Sequence, residues 1–178
     1  MSTLKGAGIR FYEYASSEVI KQTRLQLEAE YWHCIDAVES LQNAGMSRDD
    51  AILRKTEILN QCQRAGLLDY ERLRQVRILN ADNVTVCPLC LEPLSGLGFM
   101  SRIAQANGRA VPDLTVTEVS LFHIEELRAG LYNHRPYNLG WGHHYCNVVA
   151  KDSGITNTLR WLHQIIQHNV EAGFIIPE

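Results

Sequence analysis

Hydrophobic positions recur at helical spacing through the first half of the chain. From Val19 to Leu41, the residues Ile20, Leu27, Cys34 and Leu41 stand seven apart, with Tyr31 and Val38 between them. Such a stripe predicts one long amphipathic helix, which Gly45 would end as a C-terminal cap. Ser47-Arg48-Asp49-Asp50 supplies a capping-box-like start for a second helix carrying Ile52, Leu53, Ile58 and Leu59, closed by Gly66. Asp69 can cap a third, running to about Leu79 through Leu73 and Val76. The seven-residue repeat suits the inside of one chain, and alternatively a seam between two copies.

Near Asp82-Asn83 the pattern changes. Val84 to Val86 reads as a short strand leading into Cys87-Pro88-Leu89-Cys90, and Gly96, Gly98, Asn107-Gly108 and Pro112 punctuate a loop-rich insertion. Thr115 to Phe122 is β-branched and alternating, which predicts a strand ending at His123. Asn133 to Pro136 is a turn, Tyr137 to Trp141 a second strand, His143 to Lys151 a short helix and Asn157 to Val170 a longer one. The expected class is α+β. A helical region over residues 1–81, for dimerisation or DNA binding, precedes a mixed region over residues 82–178.

Composition narrows the function classes. The chain has 178 residues, 46% hydrophobic and 21% charged, an ordinary globular balance that can bury a core without disulfides. No apolar run approaches the roughly 20 residues of a membrane span, and Met1 to Gly6 has no long apolar run behind it. A soluble, cytoplasmic protein with no membrane partner is expected. The net charge of −3 argues against a purely electrostatic nucleic-acid binder. Residues 41–80 are nevertheless net basic, with Arg72, Arg74 and Arg77 crowded together, either as a solvated helix face or as a face for phosphates.

Five cysteines make an odd count, unsuited to a disulfide framework. Cys34 and Cys62 sit within helical patterns as small hydrophobes. Cys87-x-x-Cys90 and His143-x-x-Cys146 are two halves with one spacing, and paired ligands two residues apart let a tight turn present both to one zinc ion. His144 competes for the histidine slot, but its spacing to Cys146 is one residue short. With all four positions filled by protein, the zinc would be structural.

The order of elements between those halves is more specific. A C-x-x-C is followed by a strand ending in His123-Ile124-Glu125-Glu126-Leu127, then Asn138-Leu139, then His143-His144-Tyr145-Cys146-Asn147 opening a helix that reaches Lys151. Residues 84–152 resemble the HNH nucleases of the ββα-metal superfamily in their zinc-containing form. The resemblance implies a zinc-stapled ββα-metal domain that hydrolyses DNA phosphodiesters with magnesium or manganese. It makes His123 the base that deprotonates the attacking water, and Asn147 the ligand of the catalytic ion. Asn138 would tether the loop and orient the histidine, and Lys151 would touch a neighbouring phosphate.

One position departs from the family pattern. The metal-binding aspartate that usually precedes the catalytic histidine is Phe122 here, so Glu118, Glu125 or Glu126 would have to reach the ion, or Asn147 would hold it alone. Arg102 and Arg109, in the insertion, are candidates for DNA contact because arginine offers a paired donor to guanine or phosphate. A short HNH enzyme without a strongly basic surface resembles a type II restriction endonuclease acting on double-stranded DNA, with a homodimer matching a palindrome. The alternatives are another HNH nuclease (homing, phage or junction-resolving) and a non-catalytic zinc-dependent DNA-binding module.

Overall fold

A computed structural model describes residues 16–103, 116–128 and 130–174. The seven-residue stripe occupies two helices rather than one. Helix α1 spans Ser17–Tyr31, capped by the Ser16 hydroxyl accepting from the Val19 amide, and α2 spans Ala37–Asn43. Between them the chain tightens: the His33 and Cys34 amides donate to the Glu30 and Tyr31 carbonyls at 3.0 Å. A distant segment then claims the groups that the break exposes. The Thr85 amide donates to the His33 carbonyl at 3.0 Å and the Ile35 amide to the Leu94 carbonyl at 3.2 Å. The Asp36 carboxylate accepts from the Ser95 hydroxyl at 2.7 Å and the Gly96 amide at 2.5 Å. Local periodicity carries no trace of these long-range bonds. Leu27 and Cys34 are buried within this chain, so the centre of the stripe is spent on its own core.

Helix α3 (Arg48–Arg64) starts where the capping box places it, with the Asp50 amide 3.1 Å from the Ser47 hydroxyl, and Gly66 follows its end at φ 68°. Helix α4 (Tyr70–Gln75) is capped by Asp69, but it stops before Leu79. Arg77 takes φ 66°, and beyond it the Ile78 carbonyl accepts from the Val86 amide at 2.9 Å. Val84 to Val86 forms isolated bridges, Leu79 with Thr85 and Val86 with Pro93, in place of the expected strand.

The sheet has two antiparallel strands, β1 (Val119–His123) and β2 (Leu139–His143), in a register that pairs Val119 with His143 and His123 with Leu139. Strand β2 starts two residues later than the sequence pattern suggests, because Tyr137 adopts φ 63°. Helix α5 (His144–Ala150) follows β2 without a linker, and α6 (Gly154–Glu171) starts three residues ahead of the expected Asn157. Among the described residues, no helix is long and apolar enough to cross a membrane.

Helix α1 lies directly on β2. Gln26, fully buried, donates from Nε2 to the Leu67 carbonyl at 2.9 Å and accepts from the Tyr137 amide at 2.7 Å. The Trp141 indole donates to the Leu27 carbonyl at 2.8 Å, and Trp141, Phe99, Tyr31 and Trp32 form an edge-to-face chain of rings. At Gly142 the close approach is absolute, since a Cβ there would lie 2.6 Å from the Phe122 ring.

Glu30 is buried beneath β2, and neither carboxylate oxygen has a hydrogen-bond partner among the described residues. Desolvation pushes its carboxyl well above the ordinary 4.5, which favours the neutral form in the fold. In the unfolded chain the group ionises at its ordinary value. The stability linked to Glu30 is therefore full below about pH 4.5 and is lost as pH rises toward the raised value. Glu30→Gln should flatten the decline in melting temperature as pH rises above about 4.5. Equal slopes for the two proteins in thermal melts would refute this.

Candidate metal centre and hydrolytic site

The metal centre is assembled from two turns. In the first, the Leu91 amide donates to the Cys87 carbonyl at 2.8 Å and the Cys87 amide to the Glu92 carbonyl at 2.9 Å, closing a knuckle around Cys87-Pro88-Leu89-Cys90. Arg77 reaches across from beyond α4 and donates to the Pro88 carbonyl at 2.7 Å and the Leu89 carbonyl at 3.4 Å. In the second, His143 ends β2 and Cys146 lies in the first turn of α5. The ligand atoms of Cys87, Cys90, His143 and Cys146 all lie within 4.8 Å of one another, and Cys90 Sγ is 3.4 Å from His143 Nδ1. Zinc–sulfur bonds of about 2.3 Å in a tetrahedron put ligand atoms about 3.8 Å apart, so these four could hold zinc.

The electrostatics of the cluster point the same way. Burial, with the thiols of Cys87 and Cys90 alongside, pushes Cys146 up to about 12, and burial first of all raises Cys90. Thiols packed this closely resist ionising together, and a cation among them reverses that preference. The position between strand and helix belongs to His143. The backbone amide of His144 donates to the Glu118 carbonyl at 2.8 Å, and its ring meets Tyr145 edge-on.

The hydrolytic candidates surround the same hairpin. His123 ends β1 and stacks on His134, with ring centroids 5.1 Å apart and planes 19° from parallel. Asn147, half-exposed on α5, donates through Nδ2 to the Leu121 carbonyl at 2.9 Å and faces the Ser120 hydroxyl at 3.3 Å. That arrangement assigns the amide nitrogen to the strand and leaves Oδ1, a hard oxygen donor suited to magnesium, for a ligand. Asn138 is buried and ties the intervening loop. Its Oδ1 accepts from the Glu125 amide at 2.9 Å, its Nδ2 donates to the Asn133 carbonyl at 2.8 Å, and its carbonyl accepts from the Ile124 amide at 2.9 Å.

Phe122 is fully buried against Gly142, so the residue before His123 faces the core. Glu125 pairs with Arg135 at 2.5 Å, Glu126 with Arg128 at 3.1 Å, and Glu118 lines a recess with His143 on the zinc side. Lys151 is exposed immediately after α5, and Arg102 is exposed in that same recess beside His143 and Tyr145. Arg109 lies outside the described residues. Sequence reasoning assigned no role to His134, and it read Arg77 with Arg72 and Arg74 as a solvated or phosphate-facing run, whereas Arg77 binds the knuckle carbonyls. Nothing in their spacing announces a stacked imidazole or a guanidinium that binds knuckle carbonyls.

The metal centre makes a direct prediction. Elemental analysis of the purified chain should find one zinc per molecule. Cys90→Ser and Cys146→Ser should lose it and melt about 10 °C lower or more, while His144→Ala keeps both metal and stability. Full zinc content in Cys146→Ser would refute the assignment.

No curated protein and no solved structure matches the chain. A family match covers residues 1–144, four-fifths of the chain, from the helices through both strands. That span holds His123, Asn138 and three of the four cluster residues, and it carries the description BstXI restriction endonuclease. The chain therefore belongs to the BstXI restriction endonuclease family, the type II restriction enzymes that cut DNA.

Proposed function

We propose that this protein is a metal-dependent DNA endonuclease of the HNH type, with a catalytic unit formed by β1, β2 and α5. The observation that carries the reading is the Asn147 amide. Its nitrogen is held by the Leu121 carbonyl, two residues before His123, on a helix whose start is fixed by the Cys3His cluster. The strand end and the helix thus present an imidazole and an amide oxygen on one small scaffold.

In this mechanism His123 takes a proton from water as the oxygen attacks phosphorus, and the bond to the 3′-oxygen breaks. The products are a 5′-phosphate and a 3′-hydroxyl. His134 fixes the plane of the His123 ring by stacking, and Asn138 fixes the backbone just beyond it. Asn147 Oδ1 would hold the magnesium or manganese, which when bound neutralises charge on the phosphate and the leaving oxygen. With Phe122 in the core, Asn147 would be the side chain of this scaffold left to hold that ion. Residues 1–81 serve as the scaffold and present Arg72 and Arg74 beside the domain of residues 82–178. Lys151, Arg102 and Arg109 make phosphate or base contacts.

Plasmid cleavage with magnesium or manganese tests this directly. The wild type should yield discrete fragments, and His123→Ala should lower the single-turnover rate by about 10²–10⁴-fold while DNA affinity is kept. Asn147→Ala should be comparably slow. Lys151→Ala should weaken binding across sequences and reduce the salt slope by about 1. A folded, zinc-loaded protein that binds DNA but never cuts it with either ion would favour the binding-module reading, for which buried Phe122 is the specific observation.

A further inference from the structure

A shallow recess opens beside the metal centre, where the chain enters β1 and leaves β2. Residues 101–103 run antiparallel to residues 116–118. Arg102 bridges Thr117, the Glu118 amide donates to the Ser101 carbonyl at 3.0 Å, and the Ile103 amide donates to the Val116 carbonyl at 3.2 Å. The start of α5 is tied to the same place, since the Glu118 carbonyl accepts from the His144 amide at 2.8 Å. The recess so framed has a volume of about 390 Å³ and is lined by Arg102, Ile103, Glu118, His143 and Tyr145. Ile103 is buried, whereas Arg102, Glu118 and Tyr145 are exposed.

Two opposite charges on this recess are not spent on the fold. Among the described residues, Arg102 and Glu118 form no ion pair with each other or with a third group. Other carboxylates of the hairpin are taken, Glu125 by Arg135 and Glu126 by Arg128. A phosphate backbone repels a free carboxylate, so one standing beside a DNA-cutting site finds its favourable partner in a base amino group. The chain's net charge of −3 also leaves base contacts a larger share of the affinity.

In the major groove, guanine offers O6 and N7 as acceptors, and its paired cytosine offers the N4 amino group as a donor beside them. A guanidinium satisfies the two acceptors and a carboxylate the donor. An A·T pair places its donor between two acceptors, which suits neither group so arranged. The groove also admits a two-stranded antiparallel ribbon, the form that residues 101–103 and 116–118 begin. We infer that Arg102 and Glu118 read one G·C base pair of the duplex, Arg102 donating to the guanine and Glu118 accepting from the cytosine. This rests on the nuclease reading, which puts DNA at this face, and it names a pair that the enzyme recognises.

Sequencing the ends that the full, zinc-loaded chain leaves on plasmid and genomic DNA gives its recognition sequence, which should require a G·C pair. Arg102→Ala and Glu118→Ala should keep zinc content and melting temperature. Each should slow cleavage of the cognate site by about 10–100-fold and lose discrimination at that one pair. Glu118→Gln should shift the preference there toward A·T, because an amide both donates to and accepts from adenine. Replacing the guanine with 7-deazaguanine, which lacks the N7 acceptor, should slow the wild type by about 10-fold and slow Arg102→Ala no further. A recognition sequence that requires no G·C pair, or wild-type discrimination kept by both alanine variants, would overturn the inference and leave the nuclease reading standing. Selection of bound duplexes from a random pool, with calcium in place of magnesium, separates recognition from cutting. A protein that selects G·C through Arg102 but never cuts would uphold the pair of readers and sink the nuclease reading. A folded chain that neither selects nor cuts any duplex would overturn both.

Discussion

Strand β2 is held in place by α1, and the chemistry of the molecule hangs from β2. Two bonds make the attachment, Gln26 to the Tyr137 amide and the Trp141 indole to the Leu27 carbonyl. Both draw on groups that are costly to bury alone: a side-chain amide, and a helix carbonyl reached by an aromatic donor. Because Gln26 also holds the Leu67 carbonyl, the same side chain ties the hairpin to the turn between α3 and α4. Strand β2 then pairs with β1, whose end is His123, and runs straight into α5, which carries Cys146 and Asn147. Small errors at Gln26 would be passed to every candidate catalytic group.

With zinc bound, the Cys3His cluster would be a second point of fixation at the other end of β2. It brings the knuckle at Cys87–Cys90 together with the junction of β2 and α5. Arg77 contributes by occupying the knuckle's outward carbonyls, which fixes the direction of Cys90. The core allows little variation between the two fixed points. Phe122 fills the space that Gly142 leaves open, so the position before His123 is taken by packing. On the proposed reading, an ion beside His123 would be held from α5.

The sequence announced features whose causes are local. Ser47 and Asp69 cap helices because a hydroxyl or carboxylate beside free amides is decided within four residues. The two ligand pairs of the Cys3His group are equally local, and matched spacing was enough to bring out all four residues and to prefer His143 over His144. The break between α1 and α2 was illegible because its causes, Thr85, Leu94 and Gly96, stand some fifty residues or more away. The end of α4 depends on a left-handed Arg77, a conformation that local propensity disfavours and the knuckle carbonyls stabilise. His123, Asn138 and Asn147 were marked by their order along the chain. The stacked His134 belongs to a turn whose geometry only the closed loop defines.

A crystal structure of the full chain on a cleavable DNA duplex, with calcium replacing magnesium to halt hydrolysis, tests the central claim most directly. The expected result is one scissile phosphate within hydrogen-bond reach of a water on the His123 imidazole, with calcium bridging that phosphate to Asn147 Oδ1. A duplex bound with its phosphates against another face, and with His123 and Asn147 open to solvent, would contradict it.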